Sequence, residues 1–171
     1  ITPDSEFNKP LFRRKLGELG VNLEDADRVL APLSERFTYE ELKAVLAAAG
    51  QSPAPLMEHV LFGIDALARA NYVLHLPPQS RISELVMFPQ GAFEARGIED
   101  LRMVRFTDDD GTASYYGTYT AFDGSRILPM MMETRDFTEV NVLTLNGACA
   151  RGKGMAVFPR RVNGRYAMLS R

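Results

Sequence analysis

The sequence predicts an α+β chain, with a helical segment over residues 1–76 followed from 77 to 171 by antiparallel strands in four-stranded units. Three observations carry this expectation. Apolar residues recur at helical spacing as far as about Asn71, the period changes to two after Pro77-Pro78, and Asp-, Asn- and Gly-rich turns separate the strand candidates. The 171 residues are 46% hydrophobic and 25% charged, the balance of a packed core, which excludes a disordered or collagen-like chain.

In the first segment, Leu11, Phe12, Leu16 and Leu19 share a helix face, and Gly20 supplies the stop. Asn22 can cap a second helix carrying Ala26, Val29 and Leu30, which ends before Pro32. Thr38 with Glu41 three residues on forms a capping box ahead of Leu42, Val45, Leu46 and Ala49, with Gly50 at the end. After a Ser52-Pro53-Ala54-Pro55 linker, Leu56, Val60, Ile64, Leu67 and Ala68 form the stripe of a fourth helix. This segment holds 8 Lys/Arg against 11 Asp/Glu in short alternations, which read as a solvated surface. It could also serve as an oligomer or partner-docking surface.

In the second segment the strand candidates are Leu101–Phe106, 113–121, 126–132 and 140–145, followed by Met155–Phe158 and 165–169 around Asn163-Gly164, a type I′ hairpin signal. Four-stranded units repeating at about 45 to 55 residues are the pattern of β-propeller blades, and a sandwich can be written with the same strands. About one and a half blades would leave the ring open. The chain also opens at Ile1 without Met and ends on a strand-like alternation, so it reads as an internal fragment.

The balance of 22 acidic and 20 basic residues, net −2, offers neither a nucleic-acid coat nor a polybasic membrane anchor. No apolar run reaches the roughly 18 residues of a spanning helix, and Ile1–Glu6 lacks signal-peptide character, so the expected location is cytoplasmic. Cys149 is the only cysteine and is expected as a small buried core thiol; with His59 and His75 isolated, no metal site is expected.

Two clusters could carry chemistry. In Gly97-Ile98-Glu99-Asp100-Leu101-Arg102, alternation sets Asp100 and Arg102 on one strand face and Glu99 on the other, giving either a surface ion pair or a carboxylic acid of adjusted pKa. Between 151 and 171 stand six cations, Arg151, Lys153, Arg160, Arg161, Arg165 and Arg171, with no acid among them. That segment is either an anion seat, with Gly152 and Gly154 allowing close approach, or a solvated basic hairpin. Tyr115, Tyr116, Tyr119 and Phe122 leading into Asp123-Gly124 suit cross-strand packing or a sugar's flat face beside a carboxylate.

Four ordered runs carry a resemblance: Gly97–Arg102, Tyr115–Gly124, Gly152–Arg161 and Tyr166–Arg171. Together they resemble the β-mannoside phosphorylase and glycosidase-like family, glycoside hydrolase family 130. The resemblance covers residues from about 85 to 171 and implies a five-bladed β-propeller, incomplete here, with the helices as an insertion of longer members. It implies cleavage of a β-mannosidic bond with inversion, most readily by phosphorolysis to mannose 1-phosphate, with inorganic phosphate as co-substrate and no other cofactor. Asp100 falls on the family's catalytic proton donor. Lys153 and Arg171, with Arg151 beside them, fall on its phosphate site; Arg102 would orient the acid, and Glu99, Arg102, Tyr119 and Asp123 would belong to the substrate site, Tyr119 and Asp123 by contact with the sugar. Leu101 departs from the small residue or proline of many members, and Gly152 and Gly154 from an asparagine or acid. A hydrolase of the same family and a non-catalytic sugar-binding propeller are the alternatives, and the fragment alone is expected to be inactive.

Overall fold

A computed structural model describes residues 2–3, 6–51 and 55–171, so most of the 52–55 linker and parts of the Ile1–Glu6 run lie outside the described residues. The chain divides into two compact units, 2–71 and 72–171.

The first unit contains two-residue strands β1 (Thr2–Pro3), β2 (Phe7–Asn8) and β3 (Arg36–Phe37) and helices α1 (Lys9–Glu18), α2 (Leu23–Leu30), α3 (Tyr39–Ala49) and α4 (Pro55–Arg69). The starts of α2 and α3 have a physical cause visible in sequence. Asn22 Oδ1 accepts from the Glu24 and Asp25 amides at 2.9 and 3.3 Å. The capping box closes on both sides, Glu41 N donating to Thr38 Oγ1 at 3.2 Å and Thr38 N to Glu41 Oε2 at 2.7 Å, which satisfies two otherwise orphaned donors. α4 packs against α1, α2 and α3. A Cβ on Gly63 would lie 2.7 Å from Val21 Cγ2, so glycine lets α4 approach that loop. Leu16, Leu30, Leu42, Ile64 and Leu67 fill the core, and Phe7, Phe12 and Phe37 meet with ring centroids 5.4–5.5 Å apart. Such aromatic pairs add about 1 kcal/mol each beyond area burial.

In the second unit β4 (Tyr72–His75), β5 (Ile98–Thr107), β6 (Ala113–Phe122), β7 (Ile127–Thr134) and β8 (Glu139–Thr144) form antiparallel ladders in the order β4-β8-β7-β6-β5. Strands β5 to β8 are a meander, as the turn residues predict. Strand β4 falls inside the span expected to be helical. It pairs Tyr72 with Val142 and His75 with Glu139, because a β-branched and aromatic run directly after α4 can satisfy its backbone on the open edge of β8. A ribbon of β9 (Ala156–Val157) and β10 (Met168–Leu169) follows. Its turn is the expected one, with Asn163 at φ 51°, Gly164 at φ 70° and a bridge between Val162 and Arg165.

The propeller expectation is overturned. The strands form an open antiparallel sheet with helices, a mixed α+β architecture, and no closed ring is present among the described residues. The sheet exceeds a four-stranded blade because β4 extends it, and the closing ribbon turns back over the sheet instead of starting a second blade: Met155 O accepts from Thr118 Oγ1 at 2.6 Å, and Tyr166 stacks on Phe106 at 5.1 Å. Cys149 is also not a core thiol. It is exposed, in the turn that follows β8. Among the described residues no helix is long and apolar enough to cross a membrane.

Candidate active site

Asp100 owes its position to an irregularity on the edge strand β5. Glu99 pairs with Thr120 and Arg102 with Thr118, so Asp100 and Leu101 together oppose the single residue Tyr119. This β-bulge puts Asp100 in the left-handed region, φ 61°, a conformation costing about 1–2 kcal/mol that Asp adopts more readily than most residues. It also changes the expected alternation. Thr118 and Thr120 share a sheet face, so Glu99 and Arg102 come to the same side, contrary to the regular-strand expectation. Asp100 and Arg102 still meet: Arg102 Nη2 donates to Asp100 Oδ2 at 3.1 Å and Oδ1 at 3.2 Å, and Arg102 Nε to Oδ1 at 3.2 Å.

The 152–154 turn faces this pair. Arg102 Nη1 donates to Gly154 O at 3.2 Å, and Lys153 Nζ lies 3.4 Å from Glu99 Oε1. A Cβ on Gly154, φ 69°, would stand 3.1 Å from Arg171 Nε, 3.3 Å from Arg102 Nη2 and 3.5 Å from Asp100 Oδ2, so three functional groups converge on that backbone. At Gly152 a Cβ would meet the Arg171 carbonyl oxygen at 2.2 Å, an approach only glycine permits. Both glycines admit Arg171. The cluster thus joins Asp100, Arg102, Lys153, Arg171 and Glu99, residues up to 72 positions apart in sequence, with the Asp100 and Arg102 side chains 33% and 42% exposed.

The excess of positive charge is smaller than the 151–171 run alone implies. Glu99 offsets Lys153, and Arg161 donates to both oxygens of Asp108 at 2.7 and 3.0 Å while its guanidinium lies 4.7 Å from the Tyr166 ring. Arg161 holds the Asp108 carboxyl down at about 2, and the Asp109 amide adds to this. Arg161 therefore fastens the ribbon to the β5–β6 turn. Arg151 is exposed in the turn ahead of Lys153.

Tyr119 and Asp123 are not brought to the cations. Tyr119 points to the opposite sheet face, is 4% exposed, and donates its hydroxyl to Glu94 Oε1 at 2.6 Å. Asp123 sits in the β6–β7 turn, where Oδ1 accepts from the Ser125 and Arg126 amides at 2.7 and 2.6 Å. Sequence reasoning missed Glu94, 2% exposed, which also accepts from Gln90 N at 2.7 Å and more loosely from Tyr72 Oη at 3.3 Å. Burial, with the neighbouring carboxyl, pushes both tyrosine hydroxyls well above the usual phenol range. The only signal for Glu94 in the sequence is a single acid between Phe93 and Ala95, too little to distinguish it from a solvated loop residue.

On that same face a cavity of about 280 Å³ opens at the bulge, lined by Met87, Ile98, Leu101 and Met132, by Tyr119, and by Glu99 and Asp100 at its rim. Asp100 therefore stands between an apolar cavity and a cationic cluster. A carboxyl so placed can hand a proton to a group in the cavity while the guanidinium and ammonium groups hold an anion on the other side. Among the described residues no group of three or more His, Cys, Asp or Glu could hold a metal ion. The chain matches no protein-family model, no curated protein and no solved structure.

Proposed function

We propose that the chain carries part of the active site of an inverting β-mannoside phosphorylase, with Asp100 as proton donor and Lys153 and Arg171 as phosphate ligands. The observation that supports this best is the convergence of Asp100, Arg102 and Arg171 on Gly154, with Lys153 one residue away. Hydrogen phosphate attacks the anomeric carbon from the face opposite the leaving group, the glycosidic C–O bond breaks, and the leaving oxygen takes the proton of Asp100, relayed by a sugar hydroxyl. Phosphate's own proton then restores Asp100, so the products are mannose 1-phosphate and the free alcohol. An anionic nucleophile needs no second carboxylate to activate it, whereas hydrolysis requires one across the sugar ring. Arg102 orients the acid, and the cations offset the charge that accumulates as phosphate and the mannosyl group meet. Glu99 tempers this potential by its contact with Lys153.

The test uses the protein at its full encoded length, a β-mannoside, and ³¹P NMR detection of mannose 1-phosphate. Phosphate should accelerate cleavage, and Asp100→Asn should lower the rate by about 10²- to 10⁴-fold while sugar binding persists. Equal rates with and without phosphate would make the protein a hydrolase, and mannoside binding without any turnover would make it a lectin-like binder; either outcome refutes the proposal.

A further inference from the structure

We infer that Glu99 makes the anion site selective for an oxyanion that carries a proton, hydrogen phosphate rather than sulfate, by accepting the hydrogen bond of the P–OH group. This deepens the phosphorylase reading and rests on its assignment of Lys153 and Arg171 as phosphate ligands. Hydrogen phosphate and sulfate are both tetrahedral dianions, so cations alone attract them about equally; they differ in the proton. The β5 bulge supplies the group that can tell them apart. It brings Glu99, paired with Thr120, onto the face of Arg102, paired with Thr118, and so sets among the cations a carboxylate that a regular strand would have turned away. Glu99 Oε1 meets Lys153 Nζ at 3.4 Å, and among the described residues that ammonium is the one hydrogen-bond donor that reaches the carboxylate. An ionised carboxylate has about four acceptor sites, so most stay open to a ligand bound at Lys153. A P–OH group there donates to Glu99 in a charge-assisted hydrogen bond, whereas sulfate sets a bare anionic oxygen against the carboxylate. Glu99 accepts this bond without taking the proton, which stays on phosphate to restore Asp100 once the glycosidic bond has broken. The Glu99 side chain is 63% exposed, so solvent screens the repulsion and the selectivity is moderate rather than absolute.

The experiment measures dissociation constants for inorganic phosphate and for sulfate by titration calorimetry at neutral pH and constant ionic strength, using the full-length protein and its Glu99→Gln and Lys153→Met variants. The unsubstituted protein should bind phosphate about tenfold more tightly than sulfate, and Glu99→Gln should reduce that ratio to about twofold or less, chiefly by tightening sulfate. Lys153→Met should weaken both anions. The readout is a ratio of two affinities on one protein, so a fraction of inactive molecules cancels. Equal affinities in the unsubstituted protein, or a preference for phosphate that Glu99→Gln leaves intact, would overturn the inference while leaving the phosphate site in place. Phosphate binding that Lys153→Met does not weaken, or no binding of either anion, would overturn the phosphate-site assignment and the inference with it. Binding is read without turnover, so the expected ratios in a protein that shows no phosphate-dependent cleavage would support the inference and refute phosphorolysis alone.

Discussion

Replacing Glu94 by Ala tests how the loop ahead of β5 is held against the sheet. The carboxyl accepts two short hydrogen bonds, from Tyr119 Oη at 2.6 Å and Gln90 N at 2.7 Å, and longer ones from Tyr72 Oη at 3.3 Å and Gly91 N at 3.4 Å. Among the described residues no buried side-chain nitrogen or oxygen lacks a partner, so the native state starts without such a penalty. Truncation orphans the buried Tyr119 hydroxyl at about 1–3 kcal/mol, while the amide of exposed Gln90 and the longer bonds add smaller losses, giving about 3 kcal/mol in all. Tyr119→Phe should cost about 2 kcal/mol and Tyr72→Phe less than about 1 kcal/mol, in the order of their bond lengths. Hydrogen exchange of the β6 amides reads this unit apart from the helical one, where a bulk melt would mix the two. A cost below about 1 kcal/mol for Glu94→Ala, or a costlier Tyr72→Phe than Tyr119→Phe, would refute the reasoning.

Two other expectations follow from local geometry. Asp108 should titrate at about 2 rather than at 3.8 by carboxyl NMR, and Arg161→Met should raise it toward the ordinary carboxylate range but not all the way, because the Asp109 amide still donates to it. Because the folded value lies below the unfolded one, the pair contributes stability above about pH 4, and that contribution is lost as pH falls toward 2; added salt should weaken it. Gly111→Ala and Gly154→Ala place a side chain at positive φ, 84° and 69°, but only Gly154 has charged groups within 3.5 Å. Denaturant midpoints should register about 1 kcal/mol for Gly111→Ala, the backbone cost alone, and distinctly more for Gly154→Ala. Equal costs would mean that the guanidinium groups swing aside freely.

Much of the local architecture was legible because it is encoded over a few residues. Thr38 and Glu41 marked a helix start, Asn163-Gly164 a hairpin, and the period-two runs from 101 to 145 a meander. What depended on distant partners was not. Tyr72–His75 is a strand only because β8, some 65 residues later, leaves an edge open to it, and no short window carries that information. The closing ribbon was expected to begin another blade, yet Phe106, Tyr116 and Tyr166 draw it onto the sheet face. At the site, alternation brought Asp100 and Arg102 together correctly but set Glu99 on the wrong side, since a one-residue bulge leaves no compositional mark. Cys149 was assigned to the interior from its residue type, whereas its place in a Gly-containing turn decides its exposure.

The left-handed backbone at Asp100 governs which substitutions there can be interpreted. Ala or Glu at this position would lose the carboxyl's placement and also strain or straighten the bulge, moving Leu101 and Arg102 together, so a dead variant could reflect geometry as easily as chemistry. Asn is the one near-isosteric replacement equally at home at φ 61°, which makes it the informative probe of whether the proposed reaction needs a proton from Asp100 rather than the shape of its side chain.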